Sequence, residues 1–293
     1  MTATSTTAVS TTPTPTLVTG PDRGDGRAGR ARRHRTARLA SWGGLGLVAL
    51  LALAGPALLP DPAAQDLGRY LEPPSVAEPL GRDEYGRSVL ARLAHATRLS
   101  LVLALGCVAT AVVLGTVTGV LAARLGGWVD AGLRAVSEAF VAVPALLVVL
   151  LVAAMAPAGS LVALYVGIAL AQWVEYFRVV RARSSRVLGS TAVQAAGLLD
   201  LGTVHVLRRH LLPELRPLVA TLAPLGLVTS VLAMSTLGFV KVGLQPPRAE
   251  LGLMVTESFP FYDVAPWLCL APVAVLFVIT VSLLGLRETE EIR

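Results

Sequence analysis

VQAAGLLDLGTVHVLRRHLLP, residues Val193–Pro213, is a basic segment with helical spacing set between two long apolar runs. A short helix placed there is tethered to a span on each side and can be gripped from the aqueous phase. That makes the segment a candidate attachment point for a soluble motor. Proline lacks a backbone N–H and clashes with the preceding turn, so Pro213 is expected to stop one helical run just before the next span.

Outward from this segment the chain is a series of apolar runs. Its 293 residues are 54% apolar and only 5% aromatic, with a mean hydropathy of +0.67. Runs of roughly twenty apolar residues can cross a hydrocarbon core about 30 Å thick at 1.5 Å per residue. Six are read, at about 41–59, 99–122, 132–155, 160–180, 217–240 and 265–286. Backbone groups left unsatisfied in lipid force such runs into helices. The fold class is therefore an all-α polytopic membrane protein with six transmembrane helices.

An even number of spans puts both termini on one side. With the N-terminus inside, the cytoplasmic segments carry 18 of the 25 Lys+Arg and the outer segments carry seven. The positive-inside rule then places both termini in the cytoplasm. Residues 1–38, Ser/Thr/Pro-rich and then RGDGRAGRARRHRTAR, lack apolar periodicity and read as a disordered basic tail. A cleaved signal peptide competes with this reading, but Pro56 and Pro60 are not followed by a small-x-small site. An uncleaved first span that sets topology is the reading taken, with contact of the tail to anionic lipid as a lesser role. Residues 39–98 hold the first helix and an outer loop. Residues 99–286 hold a core of five helices with a cytoplasmic loop at 181–216, and 287–293 form a second cytoplasmic tail.

Several chemistries are excluded or weakened. The only lysine, Lys241, follows Val240, so no GxxxxGK[ST] phosphate loop exists in the chain. Gradient-driven carriers place ionisable groups deep in their spans. Here the candidates are Glu138 and Glu175, and Glu175 reads more simply as an ion pair with Arg178 one turn on. His205 and His210 are five apart, so they diverge on a regular helix and lack metal-ligand spacing. Cys107 and Cys269 read as small buried hydrophobes, and no metal site is expected. Gly115 and Gly119 form a GxxxG that reads as close helix packing. The net charge of +6 is not arranged in a Lys/Arg stripe with interleaved aromatics, so nucleic acid is not an expected partner.

Four motifs converge on one family. GRDEYGRSVLARL (Gly81–Leu93), LGGWVD (Leu125–Asp130), WVEYFRVVR (Trp173–Arg181) and GFVKVGLQPPRAELGLM (Gly238–Met254) occur in order and register. Together they resemble the inner-membrane permeases of ATP-binding-cassette importers, in the oligopeptide/dipeptide/nickel branch and of its second-permease type. The resemblance implies the type I importer permease architecture in a bacterial inner membrane. It also implies a coupling helix that docks in a cleft of an ATPase subunit. Gln194, Ala195 and Ala196 occupy the E-A-A positions of that family's loop, Asp200 the glycine, and Leu211, Leu212 and Pro213 the I-L-P end.

The residues carry their own logic beside this. Small side chains at Ala195 and Ala196 permit close approach, Leu198, Leu199 and Leu201 offer an apolar anchor, and Arg208 and Arg209 suit an acidic rim. The family glycine often permits positive φ. Aspartate tolerates that conformation better than most residues do, and Gly202, two residues on, is the alternative place for the turn.

The resemblance further implies a heterodimer with a second permease, two ATPase subunits holding ATP and Mg, and an extracytoplasmic binding protein. No cofactor is expected on this chain. The solute is a peptide by default, with nickel or another metal chelate or an opine as alternatives. Gln245, Pro246 and Pro247 are expected in an outer loop or gate, and Glu138, Met234, Ser235 and Thr236 are candidate cavity-lining residues. A gradient-driven carrier and a non-transporting membrane scaffold are the rival functions.

Overall fold

The computed structural model describes residues 24–290 except Ala158 and Lys241, with side chains from Leu39 to Gly285. The expected tail segments at 1–23 and 291–293, and Lys241, lie outside the described residues. The helices are α1 (Gly24–Leu58), α2 (Val89–Leu125), α3 (Gly127–Ala142), α4 (Ala145–Ala154), α5 (Leu161–Leu188) and α6 (Thr191–Leu198). They continue with α7 (Thr203–Val206), α8 (Leu212–Phe239), α9 (Leu251–Ser258) and α10 (Pro266–Glu290).

Helical backbone runs through residues 24–38, where a disordered tail is the sequence expectation. Alanine and arginine are strong helix formers, and a helix nucleated in the adjacent apolar run propagates at little further cost. The second span also starts early. Helix α2 begins at Val89, ten residues before the expected boundary, because Arg92 is neutralised by acidic partners and is carried inside the helix. Helix α5 likewise continues to Leu188.

Among the described residues, five helices are long and apolar enough to cross a membrane. The expected third span, 132–155, is instead the pair α3 and α4, which meet at 92°. The break falls at Val143 and Pro144. Val143 has φ −105 and ψ 130, the extended state forced on a residue that precedes proline. The chain enters this pair at one end of the bundle and leaves it at the other, so the pair makes the sixth crossing.

The two ends of the bundle are distinct. Loop 59–88, the α4–α5 turn and α9 lie at one end, and α6 and α7 lie at the other. Helices α2 and α5 run side by side and are held close by small residues. A Cβ added at Gly115 would stand 2.5 Å from Tyr176 Cβ, and one at Gly119 would stand 3.0 Å from the Arg181 backbone nitrogen. The GxxxG spacing is therefore a packing device, as expected. Cys107 and Cys269 are buried and free.

Pro213 does not stop a helix. From Thr203 to Phe239 the chain is one continuous helical element, interrupted only by a π-helical turn at Leu207–Leu211. Proline has no N–H to give and crowds the carbonyl four residues back. The wider π turn ahead of it absorbs both effects without ending the helix. The same turn corrects the expectation for the histidines. Five residues make about one π turn, so the rings of His205 and His210 stand with centroids 6.0 Å apart. Among the described residues no group of three or more potential metal ligands is assembled.

Candidate functional site: a projecting helix and a cavity route

Helix α6 is two turns long and stands clear of the bundle. Its C-terminus closes with the bond pattern of a Schellman motif. The Leu201 N–H donates to the Ala196 carbonyl at 3.0 Å and the Asp200 N–H to the Gly197 carbonyl at 3.1 Å. Asp200 adopts φ 51, so it occupies the left-handed position directly. Gly202 has φ −57 and stands ahead of α7 as its N-cap, so it does not carry the turn.

The side chains of this segment divide sharply. Leu198 is 91% exposed and Leu199 73%, while Leu201 and Val204 are also exposed. Ala195 faces out, but Ala196 is buried within the chain, so only one of the two alanines is free to meet another surface. Gln194 is exposed and its Nε2 donates to the Gly189 carbonyl at 3.3 Å. Leu212 is half-buried and Pro213 exposed. A groove of about 560 Å³ lies behind the segment, walled by Val120, Leu121, Leu201 and Leu207.

Between α3, α5 and α8, a cavity of about 820 Å³ opens at the same end of the bundle. It is lined by Arg134, Arg178, Arg181, Arg186, Glu138 and Glu214 among others. Asp130 binds Arg181 at two points, with Nη2 to Oδ2 at 2.6 Å, and also meets Arg134 Nε at 3.3 Å. Arg183 pairs with Glu214. A second cavity of about 420 Å³ lies under the α3–α4 bend, against Pro144, Val174, Glu175 and Arg178. A third, of about 180 Å³, reaches Gln172, Glu175 and Thr229.

Glu175 and Arg178 do not form the expected ion pair: neither appears in an ion pair among the described residues. Both are exposed, and an exposed pair gains too little to fix two long side chains in one geometry. Of the four candidate lining residues, Glu138 does face a cavity. Met234 is buried in the core, the Ser235 hydroxyl contacts Glu250 at 3.5 Å, and exposed Thr236 bonds back to the Leu232 carbonyl at 2.8 Å. None of those three lines the cavities described. Three successive residues of a helix necessarily point in different directions.

At the opposite end, Gln245, Pro246 and Pro247 are exposed. Arg248 Nη1 donates to the Gly159 carbonyl at 3.2 Å, which ties this segment to the α4–α5 turn. Behind it, Glu250 is almost fully buried and caps α9, with Oε2 accepting from the Leu253 N–H at 2.8 Å. Burial pushes its carboxyl above the ordinary glutamate range.

The same end holds an ionic cluster that the motif reading missed. Asp83 Oδ2 accepts from Arg87 Nε and from Arg92 Nη1, each at 2.6 Å. Arg92 Nη2 reaches Glu257 at 2.5 Å. The cluster joins the outer loop to α2 and α9. Burial also raises Glu84 beside it, whereas a hydrogen bond from Arg69 holds Glu72 below its usual range. Gly81 and Gly86 both have φ 67, and a Cβ at Gly86 would fall on the Asp66 carbonyl. Residues 83–87 form a turn and not a helix, so the spacing of Asp83 and Arg87 carried no signal of their pairing.

Six crossings, one of them bent, with a short apolar helix projecting from one end and cavities opening beside it, define a polytopic membrane permease. Residues 115–288 match the family described as binding-protein-dependent transport system inner membrane components. The chain belongs to this family: it is a permease subunit of an ATP-binding-cassette importer, with the type I permease fold, and a multi-pass inner-membrane protein. It is similar to a probable D,D-dipeptide transport system permease of Escherichia coli K12, with 32% identity covering 80% of this chain and 79% of that one. The nickel transport system permease of the same strain is 31% identical over 80% and 84%. A dipeptide transport system permease of Haemophilus influenzae is 29% identical over 82% and 84%.

Proposed function

We infer that this permease imports a small peptide and is driven in trans through α6. The exposed apolar tip at Leu198 and Leu199 carries the reading, since two leucines left in water on a projecting helix call for a partner surface. Gln194, Ala195, Asp200 and Leu201 are the coupling residues, Gly202 starts the return helix, and Leu212 and Pro213 join it to α8. The partners are two ATPase subunits holding ATP and Mg, a second permease in a heterodimer, and an extracytoplasmic binding protein. Both termini and α6 are cytoplasmic, in keeping with the distribution of arginine. The segment at Gln245–Pro247 then faces the binding protein.

Closure of the ATPase subunits on ATP pushes α6. Because α7, the π turn and α8 form one rod, that push is delivered along a span to the far end of the bundle. The cavities open outward, accept solute, and return inward after hydrolysis. The peptide relatives support the choice of solute class, and a nickel chelate is the rival.

The test is a pull-down of the tagged chain in detergent, with ATPase activity assayed on the eluate. Co-purification of an ATPase and a second permease, with activity lost in Ala195→Arg, is the expected result. Recovery of the chain alone, indifferent to Ala195, would overturn the drive through α6.

A further inference from the structure

The geometry points to a solute-reading stripe on α5, formed by Gln172, Glu175 and Arg178, that holds a zwitterionic solute by its two charged ends. This rests on the reading of the cavities as the import route. The three residues recur at three-residue spacing and so share one helix face. The three cavities share their walls along that face. Arg178 lines both the 820 Å³ and the 420 Å³ space, and Glu175 lines both the 420 Å³ and the 180 Å³ space. Gln172 lines the innermost one.

Glu175 and Arg178 offer unused polar capacity. Glu175 and Arg178 enter no ion pair among the described residues, although they stand one turn apart. Gln172 is only 8% exposed. Its Nε2 donates to the Gly226 carbonyl at 3.1 Å and to Ser230, while its Oε1 is buried with no donor. Charges within a span are costly and face functional cavities. Here Gln172, an anion and a cation follow one another along a single route.

Their spacing fits a short peptide. Side chains at i and i+3 leave a helix about 5–6 Å apart, and a dipeptide spans at most about 7 Å. One solute can therefore present its ammonium to Glu175 and its carboxylate to Arg178 together. Charge-assisted hydrogen bonds of this kind are about twice as strong as neutral ones. A solute without two charged ends would use only half of the stripe.

Equilibrium binding to the complex purified through the tagged chain, in nanodiscs and without binding protein, tests this. The probes are dialanine, N-acetyl-dialanine and dialanine amide. Wild type is expected to bind dialanine at least tenfold more tightly than either blocked form. Glu175→Gln should abolish the gap to the acetylated form and keep the gap to the amide, and Arg178→Gln should do the reverse. Both side chains are exposed, so the melting temperatures should not move.

Equal affinities of wild type for the three probes, or a uniform loss in both variants, would overturn the stripe. So would failure of an ATPase-active complex to bind any probe, which leaves the importer reading standing. A wild-type eluate without ATPase activity would instead remove the proposed ATP-driven route through the cavities, and the stripe with it.

Discussion

Arg92 Nη1 donates to Asp83 Oδ2 at 2.6 Å, and the two side chains are 3% and 4% exposed. This pair clamps the loop before α2 to the first turn of that helix, and through Glu257 to α9. Removing one partner of a buried pair costs about 3–5 kcal/mol, because the other charge is left uncompensated. Asp83→Ala should therefore lower the melting temperature of the detergent-purified chain and open the loop to protease. Glu72→Gln, at the half-buried local pair with Arg69 that ties no helix to the loop, should do neither. Equal behaviour of the two variants would contradict the clamp.

Gly115 sets the distance between α2 and α5. An added methyl meets Tyr176 Cβ at 2.5 Å and the Phe177 nitrogen at 2.9 Å, and neither is the end of a flexible side chain. Overpacking of this kind costs about 1–3 kcal/mol. Gly115→Ala should destabilise accordingly in thermal melts. Gly132→Ala in α3, where nothing lies within 4 Å of the added atom, should be neutral or slightly stabilising. The reverse order would mean that the two helices are not packed as described.

The crossings were legible because runs of about twenty apolar residues have few other uses. Their breaks and ends were less so. Pro144 stood in the third run, yet hydropathy averages over a window and does not register a change of direction. The early start of α2 depends on Arg92 meeting Glu257, 165 residues away, which no local pattern contains. At α6 the positive φ of Asp200 was foreseeable from the residue it replaces, while the burial of Ala196 needed the neighbouring helices. The burial of Glu250 is set by the approach of α8 at Gly238, which no local pattern contains.

Asp200 holds a conformation that glycine adopts without steric cost, whereas a residue with Cβ gives up about 1–2 kcal/mol there. Asp200→Gly should firm the end of α6, seen as slower amide exchange at Leu199 and Leu201. Asp200→Val should unravel it. Combined with Gln194→Glu, the glycine variant should keep or raise the ATPase activity that co-purifies with the chain. A loss of that activity would mean that aspartate itself contacts the partner.

Leu198 and Leu199 separate docking from stability. Substitutions at exposed positions usually move stability by less than about 0.5 kcal/mol. Leu198→Asp and Leu199→Asp should therefore leave the melting curve of the isolated chain unchanged. Truncation of an interface anchor costs about 2 kcal/mol or more, so each variant should retain less than a tenth of the co-purifying ATPase. Full retention would move the docking site elsewhere.

Glu250 gives the outer end a pH response whose sign follows from burial. Its folded-state pKa lies above the ordinary value because the charged form is desolvated. A raised pKa favours the folded state while the carboxyl is protonated in both states, below about 4.3. That contribution is then lost as pH rises through the folded-state value. Glu250→Gln keeps an oxygen that can accept from the Leu253 N–H and removes the titration. The stability difference, variant minus wild type, should therefore grow as pH rises from about 4.3 to the folded-state pKa and level off above it. Gly238 leaves room for the Glu250 carboxyl, since a Cβ there would stand 2.5 Å from Oε2. Gly238→Ala should accordingly destabilise at every pH, by sterics and not by charge. A difference curve for Glu250→Gln that is flat, or that falls with pH, would show the carboxyl to be solvated or paired at neutral pH.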